Sequence, residues 1–350
     1  MAIPMTMMDP DDPKLKNQTW ENIEKELNMR DAAKIATLGY DIDDPEDSGP
    51  SFMHPCKPLY SSFPWETKIE PFAEPAKCTL KTWKHTCLKY ELKTGCATLT
   101  LSKGATNNTI DPAMMDALQD AILDLQKNKD ARVVILKAEG KLFSNGLDPK
   151  YIMSESQKSA AEIEAYQLRF AKILYFLSKL PQYVCALVQG SAMGASIGLL
   201  CACDQIISVK SSFFNLNEGK LGVVGTVALP YIMNRITYMA FTRQLVLTAA
   251  AITAEQALEW NLINEVVEDA AGLQTAAQSL CDKLTFCAPG AVAATKEIVM
   301  NTVGQAPSSF MMNYVSTVLA SVRKGAEART GIEAVQNKKK PAWAEKKIEA

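Results

Sequence analysis

Strand-like and helix-like patterns of apolar residues alternate along this chain from about residue 82 onward. Residues 96–101 (CATLTL) alternate in polarity, while residues 132–137 and 184–189 are short apolar runs typical of buried parallel strands. Helical patterns separate these segments, and an Asp-Pro pair at 111–112 predicts the start of one helix. This β-α-β alternation predicts an α/β fold with right-handed crossovers.

The two ends of the chain carry other patterns. Beyond Pro230, strand signals nearly vanish and helical patterns follow one another, with predicted starts near Thr253 and Pro289. Residues 1–81 combine Asp, Pro, Met and Lys with little periodicity, which predicts a partly flexible extension. We therefore divide the chain into three parts: an N-terminal extension over 1–81, a core with the active site over 82–270, and a helical C-terminal region over 271–350.

Composition and charge are those of an ordinary globular protein. Hydrophobic residues make up 47% and charged residues 22%, and the formal net charge of −2 creates no field that would attract nucleic acid. No run of about 18 apolar residues is present, so we expect neither a nucleic-acid partner nor a membrane span. The N-terminus resembles neither a signal peptide nor a transit peptide, which predicts a cytoplasmic protein.

Cysteine and histidine usage gives no sign of a metal site. The nine cysteines are scattered through apolar segments and are predicted to be reduced and buried. His54 and His85 are the only histidines, so we predict no Cys/His cluster that would bind zinc. Glycine-rich loops of the Walker or dinucleotide type are also missing, so no nucleotide cofactor is expected.

Two loops rich in small residues follow predicted strands. The first, GKLFSNGLD (140–148), contains a turn at Asn145, whose amide is a candidate donor, and ends at Asp148, which is predicted to hold the loop. The second places residues 194–196 (GAS) before an apolar helix predicted over 197–203. The backbone amides at a helix start and small side chains beside them favour binding of an anion. Small residues also permit close strand–helix packing, which is the alternative explanation. Open α/β sheets bind ligands at these strand ends, which favours an oxyanion site.

A single carboxylate, Glu218, follows the second loop. Its sequence neighbours Phe214, Leu216 and Leu221 are apolar, so desolvation is predicted to raise its pKa towards working pH. The alternative is an ordinary surface glutamate before a turn. The two loops and this carboxylate together predict chemistry at the α-carbon of a carbonyl compound.

Residues 82–343 resemble the crotonase superfamily, the enoyl-CoA hydratases and isomerases. The resemblance depends on several ordered motifs: FSNGLD (143–148), GSAMGASIG (190–198), LNEGKLGV (216–223) and the closing EARTGIEAVQNKKKPAW (327–343). It implies a spiral of β-β-α units, a helical C-terminal region that forms a homotrimer or hexamer, and a role in fatty acid metabolism. It also implies that the amides of Asn145 and Ala195 hold a thioester oxygen. Coenzyme A then enters only as part of the substrate, and no separate cofactor is expected.

One departure from the hydratases bears on the reaction. Hydratases use two glutamates, and the resemblance assigns one of them to Glu218, whereas Gly198 occupies the position of the other. Moving a double bond needs one base that takes a proton from C2 and returns it at C4, while adding water is better served by two carboxylates. FSNGLD and LNEGKLGV also resemble the Δ3,Δ2-enoyl-CoA isomerases. We therefore predict a shift of a 3-enoyl to a 2-enoyl thioester through an enolate.

The remaining predictions concern substrate contacts and rival functions. Further substrate-binding residues are predicted at Lys103, Ser144, Gly146, Leu147, Asp148, Gly194 and Gly198. Lys103 and the basic run 338–340 are candidates for coenzyme A phosphates, or else parts of a solvated charged surface. The rivals are a hydratase/dehydratase or decarboxylase that acts on coenzyme A or carrier-protein thioesters, as in polyketide β-branching, and a non-catalytic scaffold that binds acyl thioesters.

Overall fold

The computed structural model describes residues 71–72, 75–155, 157–224, 227–302 and 308–350. All of them belong to one unit of the chain, which begins at residue 69. Most of the predicted N-terminal extension lies outside the described residues, so its organisation remains a prediction.

The described residues form nine strands and eleven helices. The strands are β1 (Leu88–Lys93), β2 (Cys96–Leu101), β3 (Val133–Ala138), β4 (Tyr183–Val188), β5 (Ala192–Met193), β6 (Gln205–Val209), β7 (Phe213–Asn215), β8 (Ala251–Thr253) and β9 (Glu265–Val267). The helices are α1 (Pro112–Leu125), α2 (Pro149–Glu155), α3 (Ala160–Ser178), α4 (Ala195–Cys201), α5 (Leu229–Arg235), α6 (Met239–Thr248), α7 (Ala254–Glu259), α8 (Ala270–Thr285), α9 (Pro289–Thr302), α10 (Ser309–Lys324) and α11 (Ala326–Gln336). None of these helices is long and apolar enough to cross a membrane.

The strands build two sheets. The larger has the order β1-β2-β3-β4-β6-β9, and only its β1–β2 pair is antiparallel. In its parallel part, Val134 of β3 pairs with Ala97 of β2 on one side and with Val184 of β4 on the other. The smaller sheet has the order β5-β7-β8. The predicted α/β fold with parallel strands and a helical C-terminal region is therefore confirmed.

Local signals in the sequence position the helices. The Asp111 side chain accepts a hydrogen bond from the Met114 amide at 2.9 Å, and Pro112 is the first residue of α1. Thr253 caps α7 through a reciprocal pair of hydrogen bonds with Gln256. Both predicted helix starts are confirmed.

The central strands β3 and β4 of the larger sheet are buried on both faces. On one face, alternate side chains such as Leu99 and Leu136 join a core cluster that includes Leu118 of α1 and Phe170 of α3. On the other face, side chains of β3 and β4 pack against α8 in a second cluster. Burial on both faces explains why these strands read as continuous apolar runs.

Two details differ from the sequence-based expectations. Helix α4 begins at Ala195, after the N-cap Gly194, and ends at Cys201. The helix predicted over 197–203 therefore starts two residues earlier than expected, and Cys203 lies beyond its end. In the C-terminal half, β8 and β9 are strands of three residues each that the sequence pattern did not reveal. Strands this short carry no readable periodicity, and they form only because β7 and β6 supply hydrogen-bonding edges.

Candidate active site

The two predicted loops lie side by side, where β3 and β4 end. Ser144 pairs with Ala192 in a parallel bridge. The Phe143 amide donates to the Ser191 carbonyl at 3.0 Å, and the Met193 amide donates to the Ser144 carbonyl, also at 3.0 Å. The proximity expected for loops after neighbouring parallel strands is therefore confirmed.

Glycine at position 146 allows this close approach. Gly146 has φ +79°, and a Cβ added there would lie 2.7 Å from the Met193 carbonyl oxygen and 3.1 Å from the Ala195 nitrogen. The buried Ser144 hydroxyl shapes the same turn, since it donates to the Asn108 carbonyl at 2.7 Å and accepts from the Gly146 amide at 3.2 Å. Ser144 and Gly146 thus set the geometry of the first loop, and neither lines the cavity described below.

The backbone amides of the two loops differ in how they are used. The Asn145 amide donates to the Asn107 carbonyl at 2.9 Å, so it is already engaged within the protein. The amides of Leu147 and Ala195 donate to no acceptor among the described residues, and both residues line the cavity. This geometry conflicts with the prediction that Asn145 is an oxyanion donor and favours Leu147, two residues later. No sequence signal separates the two positions, because the choice depends on which N–H donates to a carbonyl of a segment distant in sequence.

Glu218 is buried next to the second loop. It begins a 3-10 turn, Glu218–Leu221, and only 7% of its surface is exposed, which rules out the alternative of a surface glutamate. Neither carboxyl oxygen has a hydrogen-bond partner among the described residues, and burial raises the pKa of this carboxyl group. Gly194, with φ +54°, leaves room for it, since a Cβ there would lie 3.0 Å from Glu218 Oε1. The carboxyl group therefore lies beside Gly194, the residue that immediately precedes the free amide of Ala195.

These groups face one cavity of about 420 Å³. Its wall is mainly apolar and is contributed by the first loop, α2, α3, the start of α4 and the segment that follows β7. The lining residues are Asn145, Leu147, Pro149, Ile152, Glu155, Ile163, Gln167, Gly194, Ala195, Asn217, Glu218, Leu221, Val223, Val224 and Val227. An apolar cavity with free amides and one adjacent buried carboxyl group suits an acyl compound whose carbonyl becomes negatively charged.

The raised pKa of Glu218 predicts a pH-dependent cost in stability. The folded carboxyl group binds its proton more tightly than the unfolded one, whose ordinary pKa is 4.5. The folded state therefore holds more protons between the two pKa values, and the free energy of unfolding falls as pH rises through that window. Glu218→Gln removes this loss, so we expect the variant to be more stable than the wild type at neutral pH. Urea unfolding across a pH series tests this, and a difference that does not change with pH would contradict it.

Gly198 does not line the cavity, contrary to its predicted contact with substrate. It faces helix α5, and a Cβ added at Gly198 would lie 2.2 Å from the Ala228 Cβ and 3.4 Å from Leu174 Cδ1. The position where hydratases carry their other glutamate is therefore closed by packing. A single substitution there cannot restore a second carboxylate without moving α5.

We expect Gly198→Ala to destabilise the protein by about 1–3 kcal/mol through overpacking. Adding Ala228→Gly to that variant removes the opposing methyl group and should recover part of the loss. The free energy of unfolding from urea titrations measures both effects. Unchanged stability of Gly198→Ala would show that α5 yields freely at this contact.

Other predicted contact residues have structural partners. The Lys103 ammonium forms an ion pair with Asp111 at 2.5 Å and does not line the cavity. Asp148 holds its loop as predicted, because its side chain accepts from the Lys150 amide at 2.8 Å. Lysines 338–340 are exposed, which fits the alternative of a solvated charged surface. Of the further substrate-contact predictions, Leu147 and Gly194 are the two that line the cavity.

One group of potential metal ligands lies elsewhere and was not predicted. Cys78, His85 and Asp120 place their ligand atoms within 4.8 Å of one another. Asp120 Oδ2 accepts hydrogen bonds from the Cys78 thiol at 3.2 Å and is 2.8 Å from His85 Nε2. Burial raises the pKa of the Cys78 thiol, which keeps it protonated and suited to this hydrogen bond. The described cysteines are all free, as predicted, although Cys287 is exposed.

The chain is similar to known proteins over most of its described length. Residues 91–346 match the family described as Enoyl-CoA hydratase/isomerase. Carnitinyl-CoA dehydratase from Salmonella paratyphi A is 32% identical over 249 residues, which cover 67% of this chain and 90% of that protein. An enoyl-CoA hydratase structure from Shewanella pealeana has a TM-score of 0.71 and 28% identity, covering 74% of this chain and 97% of the other. Pseudomonas aeruginosa AtuE has a TM-score of 0.71 and 27% identity, covering 74% of this chain and 100% of that one.

Proposed function

Because this chain belongs to the enoyl-CoA hydratase/isomerase family, we propose that it shifts the double bond of an acyl-CoA thioester from the 3-enoyl to the 2-enoyl position. The observation that carries this proposal is the buried carboxyl group of Glu218, which lies next to Gly194 and so beside the free amide of Ala195. One acid–base group is enough for a double-bond shift. At the position of the other hydratase glutamate, Gly198 packs against Ala228 instead.

The proposed reaction uses only groups that face the cavity. The Glu218 carboxylate removes a proton from C2 of the 3-enoyl thioester, and the electron pair of that C–H bond passes to the thioester oxygen. The amides of Leu147 and Ala195 donate hydrogen bonds to the resulting enolate oxygen. The protonated Glu218 then delivers its proton to C4, and the electrons return to form the C2–C3 double bond. Substrate and product have the same atoms, and Glu218 ends ionised.

The apolar wall of the cavity supports this role for Glu218. Burial raises the pKa of its carboxyl group, which brings it closer to working pH and makes both uptake and release of a proton accessible. Half-buried apolar side chains such as Ile152 and Val227 line the same cavity, and their low polarity strengthens hydrogen bonds to the enolate oxygen.

Assays of the purified full-length protein with 3-enoyl-CoA, 2-enoyl-CoA and 3-methylglutaconyl-CoA test the proposal. We expect conversion of 3-enoyl-CoA to 2-enoyl-CoA, and deuterium placed at C2 of the substrate should appear at C4 of the product, because Glu218 carries it between the two carbons. No turnover of 3-enoyl-CoA, together with release of carbon dioxide from the carboxylated substrate, would identify a decarboxylase instead.

Dehydration is the second candidate, and the similarity to carnitinyl-CoA dehydratases favours it. In that reaction Glu218 would remove the C2 proton and would also have to assist hydroxide departure from C3, two tasks for one carboxyl group. Formation of 3-hydroxyacyl-CoA from 2-enoyl-CoA, faster than isomerisation of 3-enoyl-CoA, would establish this candidate. A carrier-protein thioester as substrate and a homotrimer or hexamer as the assembly remain predictions.

A further inference from the structure

A second carboxyl group lines the cavity, and the proposed reaction does not use it. Glu155 is the last residue of α2, and its side chain forms part of the cavity wall. Its Oε1 atom is buried and has no hydrogen-bond partner among the described residues. A buried carboxylate oxygen without a partner is costly, so this atom needs a donor that the described residues do not supply.

Glu155 lies at the far end of α2 from the first loop. Helix α2 starts at Pro149, two residues after the free amide of Leu147, and six helical steps of about 1.5 Å place Glu155 roughly 9 Å further along the axis. Glu218, in contrast, lies next to Gly194 at the start of α4. The two carboxyl groups therefore enter the cavity wall from different elements, α2 and the turn that follows β7.

The surroundings of Glu155 are neutral or apolar. On α3, Ile163 and Gln167 line the same cavity, and four residues of spacing place them on one face of that helix. Among the described residues that line the cavity, none is basic. The nearest lysine along the chain, Lys158, places its ammonium group 3.5 Å from the centre of the Tyr151 ring. The negative charge of Glu155 thus faces the cavity without a cationic partner in its wall.

We propose that Glu155 determines specificity by recognising a cationic, hydrogen-bond-donating group on the distal part of the acyl chain. An ammonium group would donate the missing hydrogen bond to the buried Oε1 atom and would offset the negative charge of Glu155. The side-chain amide of Gln167 is a neutral polar group in the same cavity wall. A distal carboxylate would be repelled by Glu155, which also disfavours dicarboxylic substrates. This inference rests on the proposed binding of acyl thioesters, but it does not depend on which reaction follows.

Binding of saturated ligands separates specificity from catalysis. We compare ligands of equal heavy-atom count by calorimetry: 6-aminohexanoyl-CoA with heptanoyl-CoA, and 8-aminooctanoyl-CoA with nonanoyl-CoA. For at least one pair, we expect the wild type to bind the ammonium ligand about tenfold more tightly, as a hydrogen bond between charged groups allows. Glu155→Gln keeps the shape of the side chain and should remove that preference. Glu164→Gln, an exposed glutamate on α3, is the matched control and should preserve it.

Several results would overturn the inference. Equal affinity within both pairs, no binding of any ligand, or an equal loss for ammonium and methyl ligands in Glu155→Gln would each contradict it. An equal loss would assign Glu155 to the pantetheine arm, which all ligands share. A clear ammonium preference without turnover of 3-enoyl-CoA would leave the inference standing and reject the proposed reaction. Turnover of 3-enoyl-CoA without any ammonium preference would reject the inference and leave the proposed reaction standing.

Discussion

Glu218→Gln is expected to lower kcat for 3-enoyl-CoA by about 10²- to 10⁴-fold, the usual contribution of a positioned acid–base group. Glutamine preserves the shape of the side chain but cannot accept the C2 proton. The neighbouring amides of Leu147 and Ala195 stay in place, so affinity for a saturated acyl-CoA should change little. Steady-state kinetics and calorimetry on the same preparations measure the two quantities.

The matched control for this variant is Glu259→Gln, which removes an exposed carboxylate at the end of α7. It should keep wild-type kcat. Full turnover by Glu218→Gln would reject Glu218 as the proton carrier. A wild-type protein that binds acyl-CoA but turns over none of the candidate substrates would instead support the scaffold alternative.

Ala195→Pro is expected to lower kcat by about 10²- to 10³-fold, the effect of losing one oxyanion donor. Proline has no N–H, so the variant deletes the amide that faces the cavity. Ala195 is the first residue of α4, where a helix tolerates proline because that N–H has no partner within the helix. The expected loss therefore comes mainly from the transition state and should appear in kcat more than in KM.

Ala160→Pro provides the control for proline at a helix start. Ala160 is the exposed first residue of α3, and it follows Ser159, whose extended backbone suits a residue before proline. We expect this variant to keep both activity and thermal stability. If Ala195→Pro keeps its melting temperature and also its activity, the amide of Ala195 does not hold the oxyanion. A large drop in its melting temperature would require comparison of binding before kcat is interpreted.

The sequence by itself located part of the core and the carboxyl group that we propose as the base. Apolar runs located the parallel strands β3 and β4 but not β6 or β9, and the capping residues Asp111 and Thr253 located helix starts, because these signals act between neighbours in the chain. The order of the motifs, through the family resemblance, assigned Ala195 and Glu218 to one site. The absence of a carboxylate at position 198 was also readable, and it led to the choice between isomerisation and hydration.

Only the tertiary structure decided which backbone amides are free and which carboxyl groups face the cavity. Asn145 lost its predicted role because its N–H pairs with Asn107, a partner 38 positions away, while Leu147 remained available. The contact that closes position 198 comes from Ala228. Glu155 reads as an ordinary polar residue at a helix end until α2 and α3 enclose it. Hydrogen bonds and packing contacts of this kind form between segments far apart in sequence, so local sequence patterns cannot reveal them.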